Sequence, residues 1–136
     1  MRFLLLLAAV AAAAVGVSSA SAAQASSSRP AVETSSNIGT VVATPSKLGI
    51  YYWDVEKKAG GKIECTGSCL TKWPPVYVMG AVPKHVAGVM ATFGTVKRGA
   101  KHQLTVNGLP AYTFSGDKAG VVNCDGVGGW HAVRPM

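Results

Sequence analysis

Acidic side chains are scarce in this chain: six Asp and Glu stand against thirteen Lys and Arg, a formal net charge of +7. Cysteine is scarcer still. Three residues leave one thiol unpaired or paired between chains. The close pair, Cys65 and Cys69, is one residue too widely spaced for a thioredoxin-like Cys-x-x-Cys, and Pro74 and Pro75 stop a helix from running beyond Trp73. No Cys-x-x-Cys-His is present for haem attachment. A zinc clamp wants four ligands in paired spacings, whereas His85, His102 and His131 are scattered singly. The basic stretch "KRGAKH" (97–102) lacks the interleaved aromatics of a single-strand binder, so nucleic acid is not the expected partner. No segment carries the period of a long amphipathic helix.

What is present begins with an export signal. Met1-Arg2 is a short positive start, Phe3 to Val17 is an unbroken apolar run, and small residues follow in "SSASAAQA". That order predicts a signal peptide over residues 1–25, cleaved after Ala22 or Ala25. The apolar run is short for a membrane span, so the mature chain is expected to have no transmembrane segment. No cysteine lies near the cleavage region to carry a lipid anchor. The expected location is periplasmic or extracellular, where disulfides persist.

Residues 26–37, "SSSRPAVETSSN", are rich in serine without an apolar period, and their composition predicts a disordered tether. From Ile38 onward, short β-branched and aromatic runs alternate with Gly, Pro and Asn. "GTVVAT" and "GIYYWDV" read as strands joined by "PSKLG". "HQLTV" and "LPAYTF" read as a hairpin through Asn107-Gly108, a dipeptide that accepts positive φ at both central positions of a type I′ turn. The two halves echo each other: "IGTV" recurs as "FGTV", "YYWDVE" as "YTFSGD", "KAG" recurs, and a cysteine precedes a tryptophan in both. The expected architecture is therefore an all-β, sandwich-like domain over residues 38–136. It would hold two antiparallel repeat units, about 38–80 and 92–136, packed face to face with short loops.

These landmarks resemble a bacterial family of secreted repeats, predicted lipoproteins with a Tyr-x-(Phe/Trp/Tyr)-x-x-Asp motif. The resemblance runs over about residues 38–135. Tyr112, Phe114 and Asp117 match the motif in full; Tyr51 and Trp53 match a first copy, with Glu56 in place of Asp. Cys65, Cys69, Trp73, Pro74 and Pro75 match the family's Cys-x-x-x-Cys…Trp-Pro-Pro segment. Cys124, in a Gly-rich stretch, departs from the pattern, as does the missing lipid-anchor cysteine. The family's biochemical role is unassigned, so the resemblance implies fold and location rather than activity.

In a strand, Tyr51, Trp53 and Val55 share one face, as do Tyr112 and Phe114, and large rings on an inner face supply much of a small core. Trp130 reads as core on an alternating strand. Glu56 and Asp117 follow their strands in Gly-containing turns, where a carboxylate accepts backbone N–H bonds. A catalytic carboxylate pair explains the same recurrence but needs a cleft between the two acids, so both are read as structural. For the cysteines, loop entropy gives about 2 kcal/mol for Cys65–Cys69 and about 4 kcal/mol for Cys65–Cys124. The turn-forming Thr66-Gly67-Ser68 favours the short bridge. The resemblance, which carries both cysteines of the short pair, implies Cys65–Cys69.

On function the expectation is a non-enzymatic exported module without a cofactor, binding an anionic envelope polymer or a protein. Lys57, Lys58, Lys62, Lys72, Lys84, Lys97, Arg98 and Lys101 supply the basic surface. The alternative is a copper-binding or electron-transfer protein using Cys65, Cys69, Cys124 and His131, since thiols and imidazole suit copper.

Overall fold

A computed structural model describes residues 29–136. The expected signal peptide (1–25) and the first residues of the expected tether (26–28) lie outside the described residues. The fold is all-β, in small antiparallel sheets with two short helices. No helix among the described residues is long and apolar enough to cross a membrane.

Strand β1 (Val32–Ser36) pairs with β2 (Gly39–Ala43) through a tight turn at Asn37 and Ile38. The tether expected over 26–37 is thus corrected for its last residues. Ser and Thr are poor predictors of order on their own, but here Val32, Glu33 and Thr34 are ladder partners of the buried Ala43, Val42 and Val41, and Ser35 and Ser36 continue the pairing to Thr40 and Gly39. Val42 N–H continues to the Val133 carbonyl at 2.9 Å, which ties this hairpin to the C-terminal end.

Strand β3 (Tyr51–Trp53) ends two residues earlier than the expected strand through Val55. Asp54–Lys58 form helix α1 instead. The local reasons are legible afterwards. Asp54 and Glu56 stand in its first turn and Lys57 and Lys58 in its last, the charge order a helix dipole favours. Gly60 and Gly61, at φ 71° and 89°, then close its end. Val55 consequently leaves the face of Tyr51 and Trp53 and is 45% exposed. The second helix, α2 (Cys69–Lys72), stops at Trp73 before the two prolines.

The remaining strands are β4 (Tyr77–Val78), β5 (Phe93–Arg98), β6 (Lys101–Val106), β7 (Leu109–Pro110) and β8 (Trp130–Ala132). The β6–β7 hairpin turns on Asn107 and Gly108, at φ 53° and 81°, as that dipeptide predicts. Ala111 still donates its N–H to the Leu104 carbonyl of β6 at 2.9 Å, and the next residue, Tyr112, meets Tyr51 instead.

The sheets differ from two self-contained units packed face to face. β3, from the first half, pairs with β8, from the last residues of the second, matching Tyr51 to Ala132, Tyr52 to His131 and Trp53 to Trp130. A second sheet runs β4-β6-β5 with β7 also on β6, and β1-β2 forms a third. The β3–β8 pairing joins residues 51–53 to residues 130–132, so the early and late parts of the chain close on each other.

Alternation across β3 divides the core. Tyr52 packs on one cluster, with Val42, Ile50, Phe93, Leu104 and Val106. Tyr51 and Trp53 face a second cluster, with Trp73, Tyr112, Trp130 and Cys65, and with Phe114 against it. At its centre Tyr51 and Tyr112 exchange both backbone bonds, N–H to O at 2.8 and 3.0 Å. Their hydroxyls then cross over. Tyr51 donates to Asp117 at 2.5 Å, and Tyr112 donates to Glu56 at 2.7 Å.

Replacing Tyr112 by Phe keeps the ring and removes a buried hydroxyl that Glu56 needs. The expected loss is about 1–3 kcal/mol of unfolding free energy, read as a lower urea midpoint at unchanged slope. Gly108→Ala, at a positive φ, should cost about 1 kcal/mol by the same measurement.

Candidate functional site

Each motif acid holds a loop as well as a tyrosine. Glu56 is fully buried, and its Oε2 accepts the N–H groups of Glu64 (2.8 Å) and Cys65 (3.2 Å). Asp117 accepts the N–H of Asn123 at 3.0 Å, while the next N–H, of Cys124, donates to the Tyr51 hydroxyl at 3.3 Å. The correspondence is close: acid, then the residue before a cysteine, then the cysteine, in both halves. Glu56 sits on α1 rather than in the expected turn, and its longer side chain spans the longer loop to residue 64. Its Oε1 has no hydrogen-bond partner.

Arg98 stands beside this buried acid and belongs to the interior rather than to the basic surface. Its guanidinium donates to Gln103 Oε1 (2.9 Å), to the Tyr112 hydroxyl (3.3 Å) and to the Cys65 carbonyl. Gln103, fully buried, passes the network on to the Ala111 carbonyl at 2.9 Å. Alternation along β5 sets Arg98 on the face of Val96, opposite Lys97, but the buried Phe93 lies on the Lys97 face, so the sequence carried no clear signal for it. Asn37 was missed as well: its amide brackets Val122, donating to the carbonyl at 2.9 Å and accepting the N–H at 2.7 Å.

Burial first, and the bond to Glu56 second, push the Tyr112 phenol up to about 12. Burial and Asp117 raise the Tyr51 phenol in the same way. Neither group is poised to exchange protons near neutrality. Each tyrosine is a fixed donor, and each acid is held by the other half of the chain.

The three tryptophans form one stack. Trp130 lies parallel to Trp53 (ring centroids 5.1 Å apart, planes at 3°) and to Trp73 (3.9 Å, 8°). Phe114 tilts on Trp73 at 5.0 Å, and Tyr51 and Tyr112 meet Trp73 and Trp130 edge-on. The motif residues Tyr51, Trp53, Tyr112, Phe114, Trp73 and Trp130 are therefore brought into a single aromatic cluster. Beside it opens a cavity of about 480 Å³, walled by Trp73, Phe114, Cys124, Val127 and Trp130, with Lys72 at its edge.

Cys65 and Cys69 are bonded, with Cα atoms 5.4 Å apart, and Cys124 is free. Burial raises the Cys124 thiol pKa, so it is held protonated at neutral pH. His131 turns away from the cysteines. Its Nε2 lies 2.9 Å from Asp54 Oδ2, and its ring stacks on Tyr52. That bond draws the Asp54 carboxyl below its usual range. Cys65, Cys69, Cys124 and His131 are not assembled as a copper ligand set, because two sulfurs are spent on each other and the imidazole is spent on Asp54. Among the described residues no three His, Cys, Asp or Glu side chains gather as a metal would need.

Residues 34–77 match a family described as a secreted repeat of unknown function. The matched segment contains β2, β3 and α1, the bonded cysteines and Trp73, so similarity to that family extends over the first of the two halves. It supports an exported protein and names no activity. No curated protein and no solved structure matches the chain.

Because folding raises the Tyr112 pKa, its contribution to stability is complete below the unfolded value near 10 and is lost as the pH climbs toward about 12. Alkaline titration followed by absorbance and by circular dichroism should show buried tyrosines ionising together with unfolding. Breaking the short disulfide with Cys65→Ser and Cys69→Ser should cost only about 2 kcal/mol, measured by urea unfolding, and leave the aromatic cluster folded.

Proposed function

We propose that the chain is an exported, non-enzymatic binding module for an anionic partner, an envelope polymer or an acidic protein. One observation carries this reading. Five of the six acids are engaged by a hydrogen bond or an ion pair within the fold, with Glu56 fully buried, and the lysines are not. Glu56 and Asp117 hold tyrosines, Asp54 holds His131, and Asp125 pairs with Arg134 at 3.0 Å. Glu33 accepts the Met90 N–H at 2.7 Å. Only Glu64 has no such tie. All nine lysines are exposed, and none forms an ion pair among the described residues. Lys57 and Lys101 rest over the rings of Tyr52 and Tyr77, which leaves their ammonium charge unneutralised. An outward field of one sign concentrates anions and speeds their encounter.

We also infer that the domain is a duplicated unit, with repeats at about 38–80 and 92–136. The crossed Tyr51–Asp117 and Tyr112–Glu56 bonds support this, as does the matching position of Cys65 and Cys124 after each acid. On that reading Cys124 is the counterpart of Cys65, and its would-be partner position holds Gly128. The exposed lysines of α1 and its following loop, Lys57, Lys58 and Lys62, form one basic edge.

Retention of the exported protein on immobilised polyglutamate and on a purified anionic wall polymer tests the binding reading. Retention should fall steeply with salt and fall further when Lys57, Lys58 and Lys62 are changed to Glu. Passage through both columns at low salt would overturn it.

A further inference from the structure

The cavity beside the tryptophan stack is distinct from the α1 basic edge, and its lining has a chemistry of its own. Its wall is largely apolar: Trp73, Trp130, Phe114 and Val127 with the protonated Cys124, completed by Ser115 and two glycines. Trp73 and Trp130 stack on each other with ring centroids 3.9 Å apart, which fixes both rings in the cavity wall. An aromatic guest packs well against such a wall, because the electropositive rim of one ring meets the face of another, and a thiol sulfur packs well against ring edges. At about 480 Å³ the space is within the range of small-molecule sites.

The one charged group at the edge is Lys72. It is exposed, has no acid partner among the described residues, and stands close enough to Cys124 for its charge to act on the thiol. Asp117, whose charge also acts on Cys124, does not line the cavity and accepts from the Tyr51 hydroxyl and the Asn123 N–H. A largely apolar, aromatic-walled hollow whose one charged lining residue is a lysine complements a planar ring bearing one anionic group. A neutral hydrophobe would leave the ammonium unused, and a polyanion would leave the hollow empty.

We infer that this cavity is a binding site for a small planar aromatic acid, its ring against Phe114, Val127 and the Trp73–Trp130 stack and its carboxylate on Lys72. The site is independent of the polyanion reading, since it uses none of Lys57, Lys58 or Lys62.

Naphthoate serves as the probe, with naphthalenemethanol as its neutral match. All three tryptophans of the chain lie in the stack, so their emission reports on the cavity wall. Naphthoate should change it saturably and slow alkylation of Cys124 by a maleimide in the folded protein. The neutral match should bind roughly tenfold more weakly, as expected for loss of a charge-assisted bond. Lys72→Gln should weaken naphthoate by a similar factor, while Lys84→Gln should leave it unchanged. Val127→Asp, at a 55% exposed rim position that does not threaten the core, should abolish binding. Equal affinity for the neutral match, an equal effect of Lys84→Gln, or no saturable signal would each overturn the assignment. Retention on polyanions is untouched by any of these results, so the two readings fail separately.

Discussion

Two hydroxyl-to-carboxylate bonds that cross between the halves of the chain are the constraint on which the rest depends. Tyr51 and Tyr112 lie side by side, exchange backbone bonds, and each passes its hydroxyl to an acid from the opposite half. A carboxylate buried without partners is costly, so these acids must be met by donors wherever the chain places them. The donors come from the far half and from the loops ahead of Cys65 and Cys124. Neither half satisfies its acid alone, which makes closure of one half conditional on the other.

The aromatic stack follows from that closure. With Tyr51 opposite Tyr112 and β3 paired with β8, Trp53 is brought against Trp130, and α2 delivers Trp73 to the other side of the same ring. The short Cys65–Cys69 bridge secures the turn leading into α2, a modest local service compared with the long loop that a Cys65–Cys124 bridge would have closed. Cys124 is left at the cavity wall, where low polarity keeps its thiol protonated and therefore a weak nucleophile. The structural demand on acids also shapes the outside. A chain with six carboxylates, one of them fully buried and four more tied to donors of the fold, presents a surface on which the nine exposed lysines prevail.

Much of this was legible in local signals. The Asn107-Gly108 hairpin could be read because positive φ at two successive positions is a strong and local requirement. The core role of Tyr51, Tyr112 and Trp130 followed from period-two alternation. The signals that failed were those in competition. "YYWDVE" carries both strand-forming rings and a helix-start charge pattern, and the helix won from Asp54 onward. The serines of β1 suggested disorder because composition does not register a partner strand that supplies the buried residues.

By itself, the sequence determined the strand-forming runs, the turn positions, the recurrence of tyrosine, acid and cysteine, and the residues that had to be buried. These are properties of short segments, set by backbone preferences and by the face on which a side chain falls. The tertiary structure alone decided which acid each tyrosine would meet, that Arg98 turns inward, that His131 is held by Asp54, and that Lys72 stands at an aromatic cavity. Each of those pairings joins residues that are many positions apart in the chain. Their geometry depends on β3 pairing with β8 rather than with a strand of its own half, a choice made by the burial available to the whole domain and by no local segment.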